Sequence, residues 1–215
     1  MNAILSTTIP LPAILDQPAL TGPCRRHRID TYCLAPLDVE RFNNLLARLG
    51  RRQAPLDCDQ LVTAARELSS RSIDTVEPPS IRQRMRQAET AAQMVGDPDW
   101  TAANDAVDAA RLVIAYARGS DNLIPAWVPK VGHLDDAIVV DAAWPRLAGE
   151  VESYLDFCQL RDTEAGLRGC ESAALGFTRA DWEQLRYDEA LLVAHQREVR
   201  QHSYLANPGA LFRIH

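Results

Sequence analysis

The sequence predicts an all-α protein, a helical bundle built around a bent hydrophobic hairpin. Three observations carry that prediction. Apolar residues recur at three- and four-residue spacing through most of the 215-residue chain. Helix start and stop signals punctuate those segments. No run alternates apolar and polar residues with the period of two that a half-buried strand requires.

Residues 1–36 stand apart. Prolines at 10, 12, 18, 23 and 36 interrupt them and no period is sustained, so they read as an extended N-terminal arm that either packs on the body or is loose. Residues 37–206 read as a single helical domain and 207–215 as a C-terminal tail. In "LDVERFNNLLARLG" Val39, Phe42, Leu45, Leu46 and Leu49 mark one helical face, which stops at Gly50. "DCDQLVTAARELSS" repeats the pattern with Leu61, Ala64, Ala65 and Leu68, and Asp57 or Asp59 is placed to cap its first turn. A third helix is expected over about 81–95. "GDPDW" predicts the start of a fourth, with Asp97 as cap and Pro98 in the first turn. That helix becomes apolar on nearly every side before Arg118, which predicts a central or paired position.

Two prolines, a glycine and an acidic pair follow in "DNLIPAWVPKVGHLDD", residues 121–136. A helix is expected from Leu134 to Trp144, kinked or ended by Pro145, and a further one to about Leu160. "DTEAGLRGCESAALG" reads as a loop with partial helix. Thr178 and Asp181 form a capping-box pattern for a long last helix, whose buried stripe would be Trp182, Leu185, Leu192 and Val199. "NPG" at 207–209 would end it.

Composition narrows the function. Hydrophobic residues make up 47% and charged residues 24% of the chain, as in soluble globular proteins. Arginine outnumbers lysine 22 to one, the single lysine being Lys130, which matches the coding bias of a GC-rich bacterial genome. A net charge of −6 argues against general nucleic-acid binding, which needs a basic surface to displace counterions. The charge is uneven: residues 1–90 carry 12 Arg against 10 acids, and residues 91–215 carry 11 basic residues against 19 acids. Five scattered cysteines fit a reducing cytoplasm better than a disulfide framework. No basic residue precedes Arg25, and Pro10 and Pro12 break the early apolar stretch, so a secretory leader is not expected. No apolar run approaches the ~20 residues of a spanning helix, although peripheral membrane association stays open.

The segment "LVIAYARGSDNLIPAWVPKVGHLDDAIVV" resembles the YkvA-like family, a bacterial domain of unknown function. The family hallmark is a DLIPDxxPxxGxxDD segment between two hydrophobic helices. Leu123, Ile124, Pro125, Pro129, Gly132, Asp135 and Asp136 fall on it, whereas Asn122 and Ala126 stand where the family has aspartates. The resemblance covers about residues 108–146 and implies a helical hairpin, sometimes associated with membranes, with no agreed activity.

Candidate chemistry is sparse. His133, Asp135 and Asp136 form a possible divalent-metal cluster, since residues 133 and 136 lie about 60° apart on a helix. Asp141 lies about 140° round from Asp136 and cannot join them. The same acids also suit a plain helix start, where they meet free amides and the positive end of the dipole. His195, Glu198 and His202 share a face of the last helix, and Cys24, His27, Cys33 and Cys58 form a loose zinc-like set. Arg25, Arg26 and Arg28 form one basic cluster and Arg82, Arg84 and Arg86 another. Trp127, Trp144 and Trp182 are contact anchors if they are not core. The chain contains no Gly-x-Ser-x-Gly elbow, Walker loop, dinucleotide fingerprint or His-Glu-x-x-His. The reading that follows is a non-catalytic interaction or regulatory protein that meets a protein partner, or itself, through Arg25, Arg26, Arg28 and Trp127. The alternative is a metal-dependent hydrolase using His133, Asp135 and Asp136.

Overall fold

The computed structural model describes residues 8–18, 24–71, 77–119 and 121–202. Six helices dominate: α1 (Pro36–Arg48), α2 (Cys58–Arg71), α3 (Pro79–Gly96), α4 (Asn104–Ala117), α5 (Leu134–Arg168) and α6 (Arg179–His202). The fold is all-α, as the periodicity predicts. One short antiparallel hairpin, β1 (Arg28–Ile29) and β2 (Tyr32–Cys33), escaped the sequence reading. Two residues per strand leave no room for visible alternation. The "NPG" stop falls outside the described residues.

The chain divides into two compact units, Met1–Leu155 and Asp156–His215, and the expected 37–206 domain crosses that division. α5 contributes residues to both. In the first unit the core gathers the apolar faces of α1 to α5, with Leu46, Leu61, Ile81, Met94, Ile138 and Leu147 at most 1% exposed. α4 packs against α3. In the second unit Phe157 stacks on Phe177 with ring centroids 5.5 Å apart, and the Arg161 guanidinium lies 4.7 Å from the Phe157 ring.

Local signals explain most helix ends. Pro36 and Pro79 occupy first-turn positions where a missing N–H costs nothing. Asp57 caps α2: Gln60 N–H donates to Asp57 Oδ1 at 2.7 Å, and Asp57 N–H donates back to Gln60 Oε1 at 3.0 Å. Gly50, at φ +95°, ends α1 with Arg51 N–H donating to the Leu46 carbonyl at 3.0 Å. Asp181 accepts from Thr178 N–H at 2.8 Å and opens α6.

Four expectations need correction. "GDPDW" does not start α4. Asp99 N–H donates to Asp97 Oδ1 at 3.0 Å and Trp100 N–H to the Asp97 carbonyl at 3.2 Å, a tight turn that buries Trp100 against Tyr154. α5 neither stops at Pro145 nor ends near Leu160. Pro145 and Asp141 lie on its exposed side, so solvent can serve the carbonyl that proline leaves without a donor. Leu185, Leu192 and Val199 of α6 are not buried, being 41%, 58% and 52% exposed. Arg84 is not part of a surface cluster: Arg82 and Arg86 are exposed, whereas Arg84, two residues from each, turns inward and is 2% exposed.

The described part of the arm is fastened to the bundle by side chains. Arg84 Nε donates to Asp141 Oδ1 at 2.9 Å, and its Nη1 donates to the carbonyls of Ile9 at 2.8 Å and Ser80 at 3.1 Å. Ile9 N–H donates to Gln83 Oε1 at 2.9 Å. Gln60 Nε2 donates to the carbonyls of Ile14 at 3.1 Å and Gln17 at 2.7 Å. Asp59 accepts the N–H groups of Arg25 and Arg26 at 2.9 and 2.7 Å, which hold its carboxyl below the usual carboxylate range. Backbone that joins neither helix nor sheet still has to be paired when buried, and these side chains do it. Arg84→Ala is therefore expected to lower unfolding free energy by roughly 1–3 kcal/mol, because the Ile9 and Ser80 carbonyls lose their buried donor while Asp141, 46% exposed, is returned to solvent. Arg84→Lys should recover only part of this in urea melts, because an ammonium cannot reach Asp141 and both carbonyls together.

Candidate functional site

Between α4 and α5 the chain must reverse two apolar helices within a short loop. Its apolar side chains do so by turning inward: Leu123, Ile124, Val128 and Val131 are each at most 3% exposed. Val128 N–H donates to the Pro125 carbonyl at 2.9 Å, and Leu134 N–H to the Val131 carbonyl at 3.0 Å. Lys130 sits at φ +68°, with Val131 N–H donating to the Pro129 carbonyl at 2.8 Å across it. Gly132 is required by space. A Cβ there would meet the Ala126 carbonyl oxygen at 2.6 Å and its Cα at 2.9 Å.

The acidic pair closes this loop from the first turn of α5. Asp135 is fully buried and Asp136 2% exposed. Asp135 Oδ2 accepts from the Tyr116 hydroxyl of α4 at 2.6 Å and from Ile124 N–H at 2.9 Å. Tyr116 in turn accepts from Leu123 N–H at 2.9 Å. Burial, then the neighbouring Asp136, pushes the Asp135 carboxyl up to about 6, while the bonds from Tyr116 and Ile124 pull the other way. The Tyr116 phenol is pushed upward by burial and by Asp135. Asp136 Oδ2 faces His133 Nδ1 at 2.9 Å, and burial raises its carboxyl while His133 opposes the shift. Glu77 lies within electrostatic reach of His133 and Asp136, its carboxyl raised by burial.

His133 and Asp136 therefore do meet on one face, as their spacing predicts. Asp135 is turned away from them by the loop it holds. Among the described residues no three His, Cys, Asp or Glu side chains are placed to share one ion, and this covers His133, Asp135 and Asp136. Asp141 is taken up by Arg84. Cys58 is buried and hydrogen-bonded to Cys24, and burial first of all pushes its thiol up to about 11. Cys33 is exposed, and the five cysteines carry no disulfide. His195 and Glu198 are exposed on α6, and the His202 side chain lies outside the described residues.

The structure gathers a different set of residues at the surface. Trp127 is 63% exposed and stands edge-on to Tyr32 of β2, with ring centroids 6.0 Å apart and planes at 85°. A groove of about 490 Å³ lies between the hairpin turn (Ile29, Asp30), the C-terminal half of α2 (Arg66, Ser69) and the loop (Pro129, Lys130). Arg25, Arg26 and Arg28 are exposed, Arg28 on the hairpin itself. Trp144 and Trp182 are half-buried. Sequence reasoning named Trp127 and Arg28 but missed Tyr32, Arg66 and the groove. No local pattern links positions so far apart.

Comparison with protein-family profiles, with curated proteins and with solved structures finds no match to this chain. Among the described residues no helix is long and apolar enough to cross a membrane.

The acid pair generates a pH test. A carboxyl raised on folding stabilises the native state most when protonated, and that contribution is lost as pH rises through the folded value of about 6. The urea midpoint should thus fall between about pH 4 and pH 7 and level off above that. Asp135→Asn, which keeps a carbonyl acceptor, should flatten that fall. Asp135→Ala leaves the Ile124 N–H and the Tyr116 hydroxyl without their acceptor and should cost about 2–6 kcal/mol at either pH, at ~1–3 kcal/mol per group. A second test uses thiol labelling. Cys33 should react with a maleimide within minutes at neutral pH, while Cys58 should label at the rate of unfolding.

Proposed function

We propose that the protein is a non-catalytic interaction module that docks a protein partner against the β1–β2 hairpin, the C-terminal half of α2 and the loop over 121–133. The observation that carries this reading is Trp127, 63% exposed and edge-on to Tyr32, beside Val128, which is buried and donates its N–H to the Pro125 carbonyl. A large ring held in place, with little entropy left to lose, suits the role of an interface anchor, and Trp, Tyr and Arg dominate such anchors. Arg28, Arg66 and Lys130 against Asp30 and Asp38 give the surrounding surface a small positive balance, which favours a partner segment bearing acidic residues. The buried acids serve this surface by fixing the loop. Five free cysteines support a reducing compartment such as the cytoplasm.

Affinity capture from the native host, followed by titration of the captured partner, tests the reading. Trp127→Ala and Arg28→Glu should each leave the melting temperature within a few degrees, and Trp127→Ala should weaken binding about 30-fold, the equivalent of ~2 kcal/mol for an anchor residue. Undiminished capture by both variants would overturn it.

A further inference from the structure

We propose that α6 is a self-association element, and that two copies of this chain pair their α6 helices antiparallel along Leu185, Leu192 and Val199. The inference rests on the second unit alone and is independent of the Trp127 surface.

The first two turns of α6 are fastened to α5. Trp182 Nε1 donates to Asp156 Oδ2 at 2.7 Å, and Arg186 grips both oxygens of the same carboxylate. Beyond that point every residue from 187 to 201 is exposed. A helix of this kind gains little from its own hydrogen bonds, because packing of an apolar face supplies most helical stability in proteins. Among the described residues nothing covers the apolar face of α6 beyond Arg186. Leu185, Leu192 and Val199, at 41%, 58% and 52% exposure, recur every seven residues. That repeat drifts by only ~20° per step on a straight helix and supplies one of the two core positions of each heptad in a left-handed helix pair, the other being polar at Asp188 and His195.

Charge selects the occupant and its direction. Residues 179–190 carry Arg179 and Arg186 against Asp181, Glu183, Asp188 and Glu189; Arg179 meets Glu183, and Arg186 is shared between Asp156 of α5 and Glu189. Residues 191–202 carry Arg197 and Arg200 against Glu198 alone, together with two histidines. A parallel pair would set the acidic halves against each other. An antiparallel pair sets each acidic half against the basic half of its partner copy, which both attracts and fixes register. Centred on Leu192, it brings Leu185 of one copy to Val199 of the other, with Glu189 opposite His195 and Asp188 opposite Gln196, next to Arg197. The surface is thus complementary to itself, as a two-fold interface requires. A single helical stripe about 36 Å long covers less than the ~800 Å² per partner of a standard interface, so the dimer is expected in the micromolar range.

Sedimentation equilibrium of the full chain, from about 1 μM to about 1 mM, brackets that affinity. The expected result is a monomer–dimer equilibrium that Leu192→Asp weakens at least tenfold with no loss of the first unit's cooperative melting. Trp127→Ala should leave the equilibrium unchanged. Direction is read by mixing Leu185→Cys and Val199→Cys copies under mild oxidation and mapping the linked peptides by mass spectrometry. A 185–199 link supports the antiparallel pair, and a dominant 185–185 link from the first variant alone overturns it. A chain that stays monomeric throughout, or a dimer indifferent to Leu192→Asp, also overturns it, while leaving the Trp127 surface to its own test.

Discussion

One carboxylate oxygen, Asp135 Oδ2, holds the reversal between α4 and α5. It accepts from a side chain of the helix before the loop and from a backbone amide within the loop, and it belongs to the helix after it. Three pieces of chain that are separate in sequence are thereby fixed by one group. The loop needs this, because two of its residues are prolines without N–H groups and its backbone cannot form a ladder of its own. Burying a carboxylate is costly, and the pair at 135 and 136 is raised for that reason. The cost is offset by position. Both acids lie in the first turn of α5, where free amides and the helix dipole favour negative charge.

The same device recurs wherever irregular chain meets the bundle. Gln60 and Arg84 satisfy the carbonyls of the arm, and Asp59 its amides. Asn43 exchanges two hydrogen bonds with the backbone of Leu56, both at 2.8 Å, as a strand neighbour would. Polar side chains of helices thus act as backbone partners for the segments that lack secondary structure. Arg84 in particular was spent on architecture. Its guanidinium is held between Asp141 and the Ile9 and Ser80 carbonyls, whereas Trp127 faces outward at 63% exposure.

The helices themselves were legible in the sequence. Capping residues such as Asp57 and Thr178 with Asp181 marked their starts, and apolar spacing marked their faces. The misreadings share a cause. "GDPDW" carries helix-start chemistry, yet the burial of Trp100 against Tyr154 outweighs a cap of about 1 kcal/mol. Pro145 is a helix breaker by local rules, but it falls on an exposed side where the lost bond is inexpensive. The stripe of α6 was read correctly as a stripe and wrongly as buried, since periodicity reports that a face is apolar and not what covers it. At the acid pair, spacing correctly brought His133 beside Asp136, but the loop's claim on Asp135 could not be seen, because Tyr116 and Ile124 reach it only once the chain has reversed.

By itself, then, the sequence determined the helical class, the boundaries set by caps and glycines, and the bend over 121–133, because each of these depends on residues within a turn or two of one another. Only the tertiary structure decided that the acids at 135 and 136 are a fastening, that Arg84 points inward, and that Tyr32 stands beside Trp127. Those outcomes depend on which surfaces meet across long stretches of chain, where burial and the pairing of every buried polar group outweigh local preference.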